Sequence, residues 1–449
     1  MKVERIDRFL KPVHGFMHGE TTAGIILMIS ALTAIVWSNS PWSESYFHLW
    51  EHELGISIGS YSIEKSLHHW INDGLMALFF FVVGLELKRE IIAGELSDIR
   101  KAILPLSAAV GGMLFPALIF LLFNRQGMES SGWGIPMATD IAFALGILSL
   151  LGKRVPLSVK VFLVALAIAD DLGAVLVIAF FYTSEISIVN LSIGILFLGI
   201  LITGNYLGIR SSLFYGLIGI AGVWLAFLMS GVHATIAGVL TAAAIPARTR
   251  IDEAGFVKRL DELTQEFHVI PPNDVTLLEP EQYNVVEKIG RLAKAANTPL
   301  QDLEHQLHPW VAFLIMPLFA FSNAGIQLST EVLGTTFFEG VSMGVLTGLV
   351  VGKFLGVLFV SWIIVRLKIA SLPEGWRWGH LCGIALLSGI GFTMSLFVSS
   401  LAYTDVSFII EAKVGIFVAS IISGVSGYLV IRRMTIPGPS AHESSQSLS

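Results

Sequence analysis

A single cysteine, Cys382, occurs in 449 residues. One thiol excludes an internal disulfide and a thiolate metal cluster. Charge is almost as scarce. Asp, Glu, Lys and Arg together make up 14% of the chain, where a soluble domain carries about a quarter. No small-residue cleavage pattern follows the first apolar run, so no cleavable signal is expected. What the chain does have is apolar surface: 54% of its residues are hydrophobic. This composition belongs to polytopic membrane proteins and excludes soluble globular classes. No cofactor and no nucleic-acid partner is expected.

The apolar runs divide into twelve expected spans, at about 19–37, 68–87, 102–123, 133–151, 157–182, 187–207, 212–229, 232–246, 309–328, 338–365, 379–402 and 409–431. Most approach the ~20 residues that a bilayer demands; the eighth is short. With the N-terminus inside, 24 of the 28 Lys and Arg residues fall in cytoplasmic segments. Only Lys65, Arg125 and Lys413 fall outside, and Lys353 lies within a span. That bias supports an even number of spans with both termini cytoplasmic. Residues 1–436 read as one transmembrane domain, and the polar stretch 437–449 reads as a disordered tail. Between spans one and two, the loop 45–66 holds the alternating Gly55–Ile63 segment around Gly59-Ser60, which predicts a β-hairpin on the outer face. A long cytoplasmic loop, 248–307, carries seven basic and eleven acidic residues with amphipathic helical flanks.

Charges inside spans are the informative exceptions. Asp170 and Asp171 stand side by side in the middle of span five. A carboxylate at the centre of a membrane helix costs roughly 2.5–3.5 kcal/mol. Span four contains Pro136, Thr139 and Asp140, and span ten contains Lys353. Three aspartates and one lysine would together cost roughly 10–14 kcal/mol on the same scale, comparable to a whole domain's stability. A purely structural role for all four is therefore disfavoured, and a site that exchanges protons or cations is the better reading. A Lys353–aspartate pair would offset part of the cost. The two adjacent aspartates point about 100° apart on a helix, so they need not share a partner.

Span four also predicts a break at Pro136–Asp140, and span eleven one at Ser388-Gly389-Ile-Gly391. Spans three to five and ten to twelve then form corresponding triplets of opposite orientation, each with an interrupted middle helix. That is the inverted-repeat architecture of secondary transporters. The run Gly348-Leu-Val-Val-Gly352-Lys353 is not a phosphate-binding loop, because its spacing is one short and no Ser or Thr follows.

The segments Ala138–Gly146, Ala167–Gly173, Ser230–Thr235 and Gly389–Ser395 resemble the NhaA family of bacterial Na⁺/H⁺ antiporters. Trp70-Ile-Asn-Asp73, Gly84–Glu90 and His305-Gln-Leu-His308-Pro-Trp fit as well, and the likeness runs in order from about Gly19 to Arg433. That family is itself an instance of inverted repeats, so topology and resemblance are not independent. The resemblance implies that Asp171 is the main ion-binding carboxylate and that Asp170 is its neighbour, paired with Lys353. It implies that Thr139 and Asp140 lie where two interrupted helices cross. It implies a cytoplasmic pH-responsive cluster of Glu86, Arg89, Glu90, Glu304, His305 and His308. His233 would tune the pH profile, Asp73 would be accessory, and the outer hairpin would hold a homodimer. The 248–307 loop is longer than in the family's best-known short form.

The expected function is electrogenic, pH-regulated export of Na⁺ or Li⁺ across the bacterial inner membrane, driven by protons moving inward. Na⁺ would take hard oxygens: Asp171 and Asp170, the Thr139 hydroxyl and carbonyls at the breaks. Exchange of another cation, such as K⁺, is a variant of the same reading. An intramembrane aspartyl protease would need a Gly-x-Gly-Asp motif, which is absent. A zinc protease fails because His52-Glu53 lacks a second His at the required spacing. A channel would need a continuous pore with selectivity rings.

Overall fold

The computed structural model describes residues 20–58, 61–183, 186–271, 277–327 and 336–434. Nearly all of them are helical, and every expected span coincides with helix. Eight helices are long and apolar enough to cross a membrane: Thr21–Ser38, Ile99–Phe123, Met128–Ser149, Leu157–Phe181, Ile188–Tyr206, Ser212–Ser230, Gly340–Arg366 and Val406–Met434. The pair Trp378–Leu387 and Phe392–Ala402, bent by 46°, makes a ninth. Spans two, eight and nine depart from an ideal crossing helix. Span two bears Glu86, Lys88, Arg89 and Glu90 in the second half of Met76–Ala93. Span eight, Ala234–Ala244, is only 11 residues long. Span nine joins the π-turn Val311–Ile315 to a short helix, Met316–Asn323.

Helices in a bilayer approach closely where small residues face one another. Spans three and ten meet in this way. A methyl group on Gly111 would lie 2.2 Å from the Gly356 carbonyl oxygen, and one on Gly356 would lie 2.1 Å from that of Gly111. This backbone contact sets Lys353, one turn before Gly356, against spans three and five. A methyl group on Gly112 would fall 3.8 Å from Asp170 Oδ1 and 3.9 Å from Lys353 Cδ.

The outer hairpin is present. Glu53–Ile58 and Tyr61–Ser66 pair antiparallel, from Glu53 opposite Ser66 to Ile58 opposite Tyr61. The turn residues Gly59 and Ser60 lie outside the described residues, as does the stretch 437–449. The strands occupy only part of the 45–66 loop, because Ser43–Glu51 is a helix. Tyr46 anchors that helix: it is 1% exposed, and its hydroxyl donates to the Phe321 carbonyl at 2.7 Å.

The long central loop holds two packed helices, Glu253–Val269 and Pro280–Ala296, bridged by Lys288 and Glu266 at 2.7 Å. Its neck is closed by the Arg250 amide, which donates to the Ala295 carbonyl at 2.9 Å. Side chains tie it to the turn between spans six and seven: Arg250 donates to the Gly208 carbonyl at 3.0 Å, and Arg210 donates to that of Asn297 at 2.5 Å.

Candidate functional site at the crossing of two broken helices

Span four is broken where the sequence places Pro136 and Thr139. Met128–Met137 is a 3-10 helix, the chain runs extended at Ala138 and Asp140, and Ile141–Ser149 is α-helical. Span eleven breaks between Leu387 and Phe392. The breaks lie against each other, and the Asp140 amide donates to the Ile390 carbonyl at 2.7 Å.

Asp140 serves both helix starts. Its Oδ1 accepts the Phe143 amide at 2.9 Å, in the first turn of Ile141–Ser149. Its Oδ2 accepts the Thr393 amide at 3.0 Å and also the Thr393 hydroxyl, in the first turn of Phe392–Ala402. A negative charge is stabilised at a helix N-terminus, and here one carboxylate meets two. Asp140 is thereby held in place between the two helix starts.

Asp170 is also partnered. Lys353 Nζ donates to Asp170 Oδ2 at 2.5 Å and to Thr139 Oγ1 at 2.5 Å. The single Thr139 hydroxyl proton has two acceptors in reach: Asp170 Oδ2 at 2.7 Å and the Ser388 carbonyl at 2.9 Å. Thr139, Asp170 and Lys353 are all 0% exposed. A buried ion pair is tolerable when further hydrogen bonds satisfy it, and Thr139 supplies them.

Asp171 differs from both. It is 1% exposed, and neither carboxylate oxygen has a hydrogen-bond partner. It borders a cavity of about 10 Å³, lined by Val83 and Gly84 of span two, Ile168, Leu172 and Val175 of span five, and Val239 of span eight. That is room for about one water-sized particle. An ionised carboxylate without partners in such a wall costs several kcal/mol. It needs a proton or a cation. Asp170 Oδ1, likewise unpartnered, is the other open oxygen nearby. Among the described residues no three His, Cys, Asp or Glu converge to hold a metal ion. A cation here would rely on the aspartates together with hydroxyl and carbonyl oxygens.

Residues 14–431 match the family model described as Na⁺/H⁺ antiporter 1. The chain belongs to this antiporter family. A protein of Oleidesulfovibrio alaskensis named Na(+)/H(+) antiporter NhaA is 49% identical over 95% of both chains. Na(+)/H(+) antiporter NhaA 2 of Syntrophotalea carbinolica is 47% identical, over 96% of this chain and 98% of its own. Na(+)/H(+) antiporter NhaA of Acidithiobacillus ferrooxidans is 48% identical, over 94% of this chain and 97% of its own. As an NhaA-family protein, the chain is a multi-pass membrane transporter and not an enzyme.

Of the residues that the NhaA resemblance assigns to pH response, Glu86 is within electrostatic reach of Asp171, and the others are grouped around the end of span two and near Tyr182. Arg89, near the end of span two, pairs with Glu304 and with Glu90, the latter at 3.0 Å. Glu304 sits in Pro299–Trp310, the amphipathic helix ahead of span nine. Burial raises its carboxyl above the ordinary 4.5, and Arg89 opposes that rise. His308 Nε2 is 4.0 Å from Glu86. His305 is exposed on the same helix. His233 lies elsewhere, between spans seven and eight, with Nε2 2.8 Å from the Tyr182 carbonyl. Asp73, in the π-turn Trp70–Leu75, is half-buried within electrostatic reach of His69, His233 and Lys65.

Three participants were not identified from the sequence. Thr393 stood in the quoted Gly389–Ser395 motif, without an assigned role. The Ser388 carbonyl acts through its backbone, which leaves no signature in side-chain identity. Lys88 donates to the Ala243 and Ile245 carbonyls at 2.6 and 2.5 Å, closing the end of span eight. Nothing in its local sequence distinguishes it from the charged residues beside it.

Proposed function

We propose that the protein exchanges Na⁺, and Li⁺ in its place, for protons by alternating access at Asp171. The observation that carries this reading is the buried Asp171 carboxyl with both oxygens unpartnered. A proton or a small cation satisfies that carboxyl, and the two compete for it. Lys353 and Asp170 form the second centre. Protonating Asp170 weakens their attraction and couples a further proton to each cation, which makes exchange electrogenic. The names borne by the relatives, Na(+)/H(+) antiporter, supply the ion pair. Both termini are read as cytoplasmic in the bacterial inner membrane, from the distribution of Lys and Arg. Protons moving inward then drive Na⁺ out. The groups around Arg89 and Glu304 set the pH response, and residues 1–436 act as one transport domain.

Asp171→Asn keeps the shape of the site and removes its exchangeable charge. In everted vesicles it is expected to abolish Na⁺-dependent pH change while leaving expression intact. Undiminished exchange would refute the assignment. The paired strands support a homodimer built through the outer hairpin. Removing residues 55–64 is expected to turn a dimeric mass into a monomeric one by native mass spectrometry in detergent. An unchanged mass would place the interface elsewhere.

A further inference from the structure

The first half of span four is an unusual element. Met128–Met137 is a ten-residue 3-10 helix, whereas such helices seldom exceed three or four residues and mark hinges where they occur mid-helix. Two phenols are set into it. Tyr182, just past the end of Leu157–Phe181, donates to the Ser131 carbonyl at 2.7 Å and accepts the Gly134 amide at 3.0 Å. Tyr403, just past Phe392–Ala402, donates to the Glu129 carbonyl at 2.6 Å and accepts the Gly132 amide. Each phenol thus bridges the carbonyl of one residue and the amide three residues on, the same two groups that a 3-10 turn joins directly. The two bridges are offset by two residues and come from opposite repeats.

The glycines make room for this arrangement. A methyl group on Gly132 would lie 2.1 Å from the Tyr403 hydroxyl oxygen, and one on Gly134 would lie 2.6 Å from that of Tyr182. The half-helix leads directly into the ion site. Ser395 Oγ donates to the Ile135 carbonyl at 2.8 Å, and Thr139 and Asp140 follow within five residues.

We infer that Tyr182 and Tyr403 are positioning residues, a pair of phenol latches that set the pose of the half-helix and so of Thr139 beside Asp170 and Asp171. Each phenol braces a turn whose carbonyl and amide the 3-10 winding already brings together. Losing a phenol therefore leaves neither backbone group orphaned, and what is lost is the brace that fixes the half-helix against the ends of spans five and eleven. His233 touches the same latch through the Tyr182 carbonyl, which ties the segment between spans seven and eight to the hinge. This inference rests on reading the aspartates as the ion site.

The test is a cycle of variants in proteoliposomes, measuring the apparent KM for Na⁺ and the maximal rate separately. Losing one bridging phenol is expected to raise KM roughly fivefold with the maximal rate little changed, in Tyr182→Phe and in Tyr403→Phe alike. Gly134→Ala, which forces the phenol aside, is expected to act like Tyr182→Phe in the native background and to add nothing in the Tyr182→Phe background. A merely structural role would lower the folded yield and the maximal rate and leave the KM for Na⁺ native; additivity in the cycle would mean that Gly134→Ala does not act through the phenol. Native KM in both phenylalanine variants, or additive effects in the cycle, would overturn the inference. Asp171→Asn runs alongside: if it retains exchange, the site reading fails, whereas a dead Asp171→Asn with native tyrosine variants defeats the latch alone.

Discussion

Lys353 sits where no counter-ion but Asp170 and no acceptor but Asp170 and Thr139 is within hydrogen-bond reach among the described residues. Removing one partner of a buried pair leaves the other charge unpaired, at a cost of about 3–5 kcal/mol, while removing both is often nearly neutral. Lys353→Ala is therefore expected to lower the thermal midpoint in detergent, and Lys353→Ala with Asp170→Asn to recover most of the loss. Equal midpoints for the single and double variants would contradict the pairing. At this scale the sequence revealed the ionisable residues, because charge within an apolar run is conspicuous. How the three aspartates divide their roles was legible only through the resemblance, not in the residues themselves. That Asp140 bridges two helix starts, Asp170 holds a lysine and Asp171 holds nothing depends on the meeting of spans four, five, ten and eleven. No local pattern encodes that meeting.

Elements were legible where a residue forces the backbone and illegible where tertiary contacts choose among similar helices. Pro136 and the Gly389–Gly391 pair marked both breaks. The 3-10 winding of Met128–Met137 and the π-turns at Trp70–Leu75, Gly219–Trp224 and Gly348–Gly352 left no such mark. They exchange one hydrogen-bond register for another at little cost, and packing decides. The pattern of Pro299–Trp310 predicts only an amphipathic flank, and its grouping with span two came from the resemblance alone; the helix is clasped to span two through Arg89 and Glu304. Burial holds the Glu304 carboxyl above 4.5 in the folded protein. A carboxyl raised in this way favours the fold below its unfolded pKa, and that contribution is lost as pH rises through the folded value. Between pH 4.5 and the raised value, the native protein should lose thermal stability with rising pH more steeply than Glu304→Gln. Parallel melting curves across that window would show that burial of Glu304 carries no such penalty.

For the whole molecule, the decisive quantity is the charge moved per cycle. One Na⁺ exchanged for one proton would be blind to voltage. The geometry argues for more than one proton, because two carboxylates adjoin the site and only one of them has a cationic partner. If Na⁺ occupies Asp171 when Asp170 is free to pair with Lys353, then the return step carries protons on both centres. One net charge crossing 100 mV is worth about 2.3 kcal/mol, which corresponds to roughly a fifty-fold concentration ratio. Reconstituted protein with equal pH and equal Na⁺ on both sides should then move Na⁺ when a potassium diffusion potential is imposed. The flux should reverse when the potential is reversed, and it should saturate with Na⁺ as a carrier does and a pore does not. Lys353→Ala should reduce the voltage dependence more than it reduces the flux. Exchange that ignores the imposed potential would reduce the coupling to one proton, and would leave the Asp170–Lys353 pair as a structural support for Asp171.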